Sequence, residues 1–238
     1  MVMTMNIRSP LLQTSCLVRE LKSLKGKSNA SARWVRRQWN DPLVKQAKRE
    51  GLRSRAAFKL RELNDKFQLL RKGDVVLDLG AAPGGWSQIA VAATKSTKES
   101  VRVVAVDLLR FDTIDGVAVV IGDFRHPEVR AQIADHLGPA RRADVVLSDM
   151  APSFSGNFLT DSQQQLRLCY NALKMAELFL KPGGNFATKI LRGEDAEEFR
   201  DELKQRFEVV KGVKPSSSRP ESTEMFLVAK GYKPVSSE

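Results

Sequence analysis

Beyond Gly73 the chain repeats one arrangement: a short β-branched run ending in an acid or a glycine, then a stretch with helical spacing, then the next run. The runs are residues 75–79, 101–106, 117–121, 144–147 and 185–190. Continuous apolar runs of this length suit strands buried on both faces, and helices between them make parallel crossovers. The helical stretches are residues 86–94, 127–137, 162–180 and 194–207, the third closed by the stop signal Lys181-Pro182-Gly183-Gly184. Two last runs, residues 207–213 and 225–229, flank a Pro/Ser-rich segment with no helix between them, so they should pair as a hairpin. The expectation is an α/β fold: a seven-stranded, mostly parallel sheet with a C-terminal antiparallel hairpin strand and helices on both faces.

The 238 residues suffice for one such core with short appendages. Charge is distributed unevenly. The first 60 residues hold 14 basic and 3 acidic side chains, and the remainder holds 25 of each. A front this basic suits a polyanion, because each phosphate neutralised releases condensed counterions. Nucleic acid leads as partner, with an anionic membrane surface or a targeting signal as competitors. No apolar run approaches the ~18–20 residues needed to span a bilayer, so membrane insertion is not expected. Cys16 and Cys169 stand far apart without metal-ligand spacing, which suggests neither a disulfide framework nor a metal site, and fits a reducing compartment.

Residues 1–30 interleave Arg and Lys with Leu, Ser and Thr and hold one acid, Glu20, which is transit-peptide composition or a disordered basic tail. Residues 31–72 form a basic helical segment, the expected RNA-binding surface, with an amphipathic helix over residues 53–70. Its phosphate contacts would be Arg33, Arg36, Arg37, Lys45, Lys48, Arg49, Arg53 and Arg55, with Trp34 and Trp39 stacking on bases or packing. Residues 73–234 form the α/β domain.

The first strand runs into Asp78-Leu79-Gly80-Ala81-Ala82-Pro83-Gly84-Gly85-Trp86. Glycines at a strand-to-helix turn let backbone approach a ligand, and the helix start offers free N–H groups. The spacing is not the Gly-x-Gly-x-x-Gly of a dinucleotide enzyme, so a pyrophosphate clamp and a nicotinamide-linked oxidoreductase lose support. The next two strands end at Asp107 and Asp123. An acid at the second strand tip suits the hydroxyls of a ribose, and Asp123 could accept from an adenine amino group. Together these features describe a nucleoside-bearing cofactor without a phosphate clamp, of which S-adenosylmethionine is the common example. Taken singly, Gly84 and Gly85 also suit a tight turn, Trp86 a packing role and Asp107 a helix cap.

The fourth and fifth strands end near Asp149 and Lys189. An antiparallel last strand would bring Glu224 to the same edge, and Lys59, on the amphipathic helix among Ala57, Phe58 and Leu60, could reach inward. A Lys-Asp-Lys-Glu cluster is therefore geometrically possible. Low-dielectric walls and neighbouring cations can lower a lysine's pKa far enough for base catalysis. A solvated surface ion pair is the plain alternative for each of these charges.

Several motifs also occur in family order: Ser54-Arg55-Ala56-Ala57-Phe58-Lys59-Leu60, the glycine loop through Ser87-Gln88, Asp107-Leu108-Leu109, Gly122-Asp123-Phe124, Ser148-Asp149-Met150-Ala151-Pro152 and Ser217-Ser218-Arg219. From about Arg33 onward the chain resembles the FtsJ/RrmJ family of S-adenosylmethionine-dependent ribosomal RNA 2′-O-methyltransferases, including its mitochondrial branch. The resemblance implies a Rossmann-like methyltransferase fold, with residues 73–234 as the catalytic domain. It implies a catalytic tetrad at Lys59, Asp149, Lys189 and Glu224, with Lys189 as base or alkoxide stabiliser, and cofactor contacts at Gly84, Trp86, Asp107, Asp123 and Asp149. It also implies a uridine of large-subunit ribosomal RNA, free or in a pre-ribosomal particle, as substrate, with the protein acting as a monomer without a metal. With a transit peptide the location would be the mitochondrial matrix; the alternative is the bacterial cytoplasm. Two other functions remain open at this stage: a tRNA anticodon-loop methyltransferase, or a ribosome-assembly factor with a relic cofactor pocket. One departure is that many relatives carry Asn after Pro152, where this chain has Ser153-Phe154-Ser155-Gly156.

Overall fold

The structure, a computed structural model, describes residues 39–234. Expectations for residues 1–38, namely the transit peptide or tail and the contacts of Arg33, Trp34, Arg36 and Arg37, lie outside the described residues. Two compact units divide the chain into residues 1–45 and 46–238. Asp41 precedes α1 (Pro42–Arg49), whose residues from Gln46 on belong to the second unit, and its carboxylate accepts the Leu43 N–H at 3.0 Å, as an N-cap does.

The second unit contains a seven-stranded sheet of order β3-β2-β1-β4-β5-β7-β6. Its strands are β1 (Val76–Leu79), β2 (Val103–Asp107), β3 (Val117–Ile121), β4 (Ala143–Ser148), β5 (Leu180–Leu191), β6 (Phe207–Val213) and β7 (Glu224–Tyr232). The first five are parallel, and β7 lies antiparallel between β5 and β6, closing the expected hairpin. The chain builds outward from β1 to β3 and then returns to place β4 on the other side of β1. That reversal opens a crevice at the carboxyl ends of β1 and β4, where open α/β sheets bind ligands.

Neighbouring residues on each strand point to opposite faces. Leu77, Val104, Val146 and Phe186 enter a core beneath α4 (Pro127–His136), α5 (Phe158–Phe179) and α6 (Glu194–Arg206). Val76, Val103, Val145 and Ala187 enter a second core beneath α2 (Ala56–Phe67) and α3 (Gly85–Thr94). Burial on both faces explains why the strands read as continuous apolar runs.

Three elements depart most from the sequence reading. The helix expected over residues 53–70 occupies only Ala56–Phe67, because Gln68 takes a left-handed conformation (φ 49°) and its N–H closes on Asn64 O at 2.7 Å. Helix α5 begins before Ser162, where Asn157 caps it by accepting the Thr160 N–H at 3.2 Å. The Lys-Pro-Gly-Gly signal does follow the end of α5, yet it lies within β5. Leu180 pairs with Ala143 and Asn185 with Val145, so the intervening residues bulge from the ladder.

Candidate active site

The turn after β1 is held from below and from the side. Gly80 and Ala81 donate to Val106 O at 2.9 and 3.2 Å, and the Gly84 N–H closes the turn on Ala81 O at 2.6 Å. Gly80 has φ +72°, and a Cβ there would lie 2.3 Å from Met150 Cγ, so neither the conformation nor the space admits a side chain. Gly84 has φ +105°, and its Cβ would lie 2.6 Å from Ile114 Cδ1. Beneath the turn, Asp78 is fully buried and accepts the Ser87 hydroxyl at 2.6 Å. Burial pushes its carboxyl up to about 7, with smaller contributions from the charges of Asp149 and Asp107.

A cavity of about 410 Å³ opens beside this turn. Gly80, Asp107, Asp123, Asp149 and Met150 are among its lining residues, with Leu108 and Leu109 at the rim. The Asp107 carboxylate accepts the Ala82 and Leu109 N–H groups, each at 2.8 Å, which fixes the second strand tip to the loop. Asp123 is gripped by Arg125, whose Nη2 donates to it at 2.6 Å, and that hydrogen bond holds its carboxyl below the ordinary value. Gly84 and Trp86 do not line the cavity. Gly84 is buried at the start of α3. The Trp86 side chain packs behind the turn, its Nε1 donating to Ala56 O at 2.8 Å and its ring 5.5 Å from that of Phe226.

The four charges of the reaction edge form two ion pairs. Lys59 Nζ donates to Glu224 Oε1 and lies 5.7 Å from the centre of the Phe226 ring. Lys189 Nζ donates to Asp149 Oδ1 at 3.0 Å and to Asp149 O at 2.5 Å. Both lysines are buried, at 8% and 6% exposure, so neither pair is the solvated surface contact considered above. Burial pushes the Glu224 carboxyl up, but the Lys59 ammonium and its hydrogen bond, followed by the Lys189 charge, hold it below the ordinary value. Asp149 joins the two regions, since it lines the cavity and grips Lys189.

The bracing residues are Glu62, not singled out from sequence, and Arg55 and Arg53, both expected on phosphate but engaged on backbone carbonyls. Glu62 on α2 accepts the Ser216 and Ser217 N–H groups at 2.6 and 2.9 Å, and Arg55 donates to Ser217 O, which ties the helix of Lys59 to the segment leading into Glu224. Arg53, expected on phosphate, instead donates to Pro83 O at 3.1 Å, to Thr113 O at 2.6 Å and to Asp112 O. Its guanidinium is thus engaged in linking the glycine turn to the loop after β2. The motif around Ser54-Arg55 marks this segment in sequence, but backbone carbonyls carry no sequence signature. Lys48, Arg49 and Lys45 are exposed.

A sheet of this order, with an acid-lined cavity at the carboxyl ends of its parallel strands, is that of a Rossmann-type methyltransferase. The model of the FtsJ-like methyltransferases matches residues 52–232, and the chain belongs to that family. It is 45% identical over 198 residues to ribosomal RNA large subunit methyltransferase E of Mesorhizobium japonicum, covering 83% of this chain and 74% of that one. The protein of the same name from Pseudomonas fluorescens is 43% identical over 192 residues, covering 81% and 90%. Among solved structures, a Plasmodium falciparum ribosomal RNA methyltransferase superposes with a TM-score of 0.66 at 27% identity, covering 76% of this chain and 98% of that one. The fibrillarin/Nop5p complex shares the fold at a TM-score of 0.51 and 19% identity, covering 73% and 81%.

Proposed function

We propose that this protein transfers a methyl group from S-adenosylmethionine to the 2′-hydroxyl of a uridine in large-subunit ribosomal RNA. The observation that carries this reading is Asp149, which faces the cavity with one side of its surroundings and holds a buried lysine with the other. The names of the bacterial relatives supply the substrate class, large-subunit ribosomal RNA.

The cavity suits the cofactor on three counts. It offers carboxylates at three strand tips with acceptor capacity for ribose and adenine donors, a turn whose glycines leave no side chain in the way, and no Gly-x-Gly-x-x-Gly clamp for a pyrophosphate. Asp107 would take the ribose and Asp123 the adenine side, with Gly80 and Ala82 bringing backbone to the cavity wall. When bound, the cofactor supplies an electrophilic methyl group.

The protein's own task is to present an oxygen nucleophile. A ribose hydroxyl is weakly nucleophilic at neutral pH and develops alkoxide character during attack. Two of the three Lys189 donors are directed to Asp149, which leaves one for the ribose oxygen. As an ammonium, Lys189 stabilises the developing charge; after losing its proton it accepts that of the hydroxyl. Asp149 orients Lys189 in either state. Lys59 and Glu224, braced through Glu62 and Arg55, hold the far side of the ribose and keep the cluster close to neutral. Alignment supplies much of the acceleration, since fixing two reacting groups removes about 7–11 kcal/mol in favourable cases.

Phe154 in the loop after Asp149 and Phe158 and Leu159 in the first turn of α5 are exposed apolar side chains near the end of β4 in sequence. Lys48, Arg49, Lys45 and the basic residues before them supply phosphate contacts. The bacterial relatives favour a bacterial cytoplasmic setting, and the mitochondrial one rests on the composition of residues 1–30. The test is transfer of labelled methyl to large-subunit ribosomal RNA and to precursor particles. Label confined to one alkali-resistant dinucleotide supports the assignment, whereas label on a base, or on tRNA alone, contradicts it.

A further inference from the structure

The Gln163-Gln164-Gln165 run on α5 has the composition of a solvated helix face, yet its last member is 1% exposed. The parallel ladder between β4 and β5 ends at Ser148 and Thr188, one residue short of both Asp149 and Lys189. Past that point no β4–β5 backbone pairing fixes the distance between the two strand tips. A side chain from α5 bridges them. Gln165 Nε2 donates to Lys189 O at 2.8 Å and to Met150 O at 3.2 Å, so one amide spans the tips that carry the two charges. Cys169, one turn further along the same helix, donates its thiol to Lys189 O at 3.1 Å. Burial pushes that thiol up to about 11, so it remains a protonated donor at neutral pH.

We infer that Gln165 is a positioning residue for the transfer step: its amide substitutes for the missing strand ladder and sets the separation of Asp149 from Lys189. The inference rests on the proposed role of Lys189. Gln165 touches neither reacting group, and it acts through the backbone of residues 150 and 189. Its Oε1 is buried without a hydrogen-bond partner, so the amide is retained at a site where an apolar side chain would leave no such group unsatisfied. The two donor bonds account for its presence.

Gln165→Met keeps length and volume while removing both bonds. We expect kcat to fall by about 10²-fold, the scale of a misplacement near 1 Å, with the KM for RNA and the cofactor Kd within about threefold of wild type. We also expect the pH–rate profile to shift, because the charge environment of Lys189 changes with its distance from Asp149. Gln165→Asn, one methylene shorter, reaches only one carbonyl and should fall between the two; it carries the test if the Met variant does not fold. Unchanged kcat in either folded variant overturns the inference. So does a fall in kcat that is matched by lost cofactor binding and leaves the pH profile unmoved, which is the pattern of general destabilisation. The comparison is with wild type in the same assay. If wild type methylates a base instead of a ribose, the proposed function fails, while the ratio of variant to wild type still reports on Gln165.

Discussion

The two halves of the site are built in opposite ways. The proposed cofactor half comes mainly from one stretch of chain, Asp78 to Asp123, with Asp149 and Met150 completing the cavity wall, and is held largely by backbone: a glycine turn bonded to β2 and acids whose oxygens accept local N–H groups. The reaction half draws Lys59, Asp149, Lys189 and Glu224 from four elements and is held by buried charge pairs and by side chains that brace them. Binding therefore tolerates little change in chain conformation, and chemistry tolerates little change in charge. Mutations can separate the two.

The strongest break on the cofactor side is Gly80→Val. The backbone conformation alone costs about 1–3 kcal/mol, and the added Cβ overlaps Met150. Calorimetric titration should show cofactor affinity falling by more than about tenfold, equivalent to about 1.4 kcal/mol. Wild-type affinity would show that the turn does not shape the site.

On the reaction side, Glu224→Gln leaves Lys59 buried without its counter-charge. Denaturation at pH 7 should show a loss of about 3 kcal/mol, the lower end for breaking a buried pair. The folded-state pKa of Glu224 is below its unfolded value of 4.5, so its contribution is fully present above pH 4.5 and is lost as pH falls through the depressed value. The deficit of the variant should accordingly close on acidification. A deficit independent of pH would assign the loss to packing.

Asp78 has the opposite sign. Between its unfolded value of 3.8 and its folded value of about 7, the native state holds a proton that the unfolded state has released. Wild-type stability should fall with rising pH in that window, at up to about 1.4 kcal/mol per pH unit. Asp78→Asn keeps an acceptor for Ser87 and removes the slope, so it should gain on wild type as pH rises from about 4 to about 7. Parallel stability curves would contradict the burial argument. The smallest effect is expected of Arg53→Met, which loosens the tie between the glycine turn and the loop after β2. It should weaken cofactor binding a few-fold and leave turnover at saturating cofactor near wild type.

The same contrast governs what could be read from the sequence. The turn and the acids of the cavity wall were legible because their signals are local, a glycine run after one strand and acids at the tips of the next two, whereas Gly84 and Trp86, expected as contacts, stand outside the cavity lining. The sheet, its hairpin and the edge to which Glu224 returns were also legible, since burial on both faces leaves a continuous apolar pattern. The pairing of Lys59 with Glu224 bridges a sequence separation of 165 and could be placed only through topology and family resemblance. Arg53 and Gln165 were misread or passed over, because their partners are backbone carbonyls brought close only by the tertiary fold. The helix start at Asn157 was missed because Ser-Phe-Ser-Gly before it looks like loop, and the bulge in β5 because Pro and Gly ordinarily end elements.

The most direct test of this division is to measure cofactor binding and methyl transfer side by side on Lys189→Ala. Removing the group proposed to bear on the ribose oxygen should lower transfer by about 10²–10⁴-fold, while calorimetry returns the wild-type cofactor affinity. Retained transfer, or transfer and binding lost together, would contradict the assignment of Lys189 to chemistry alone.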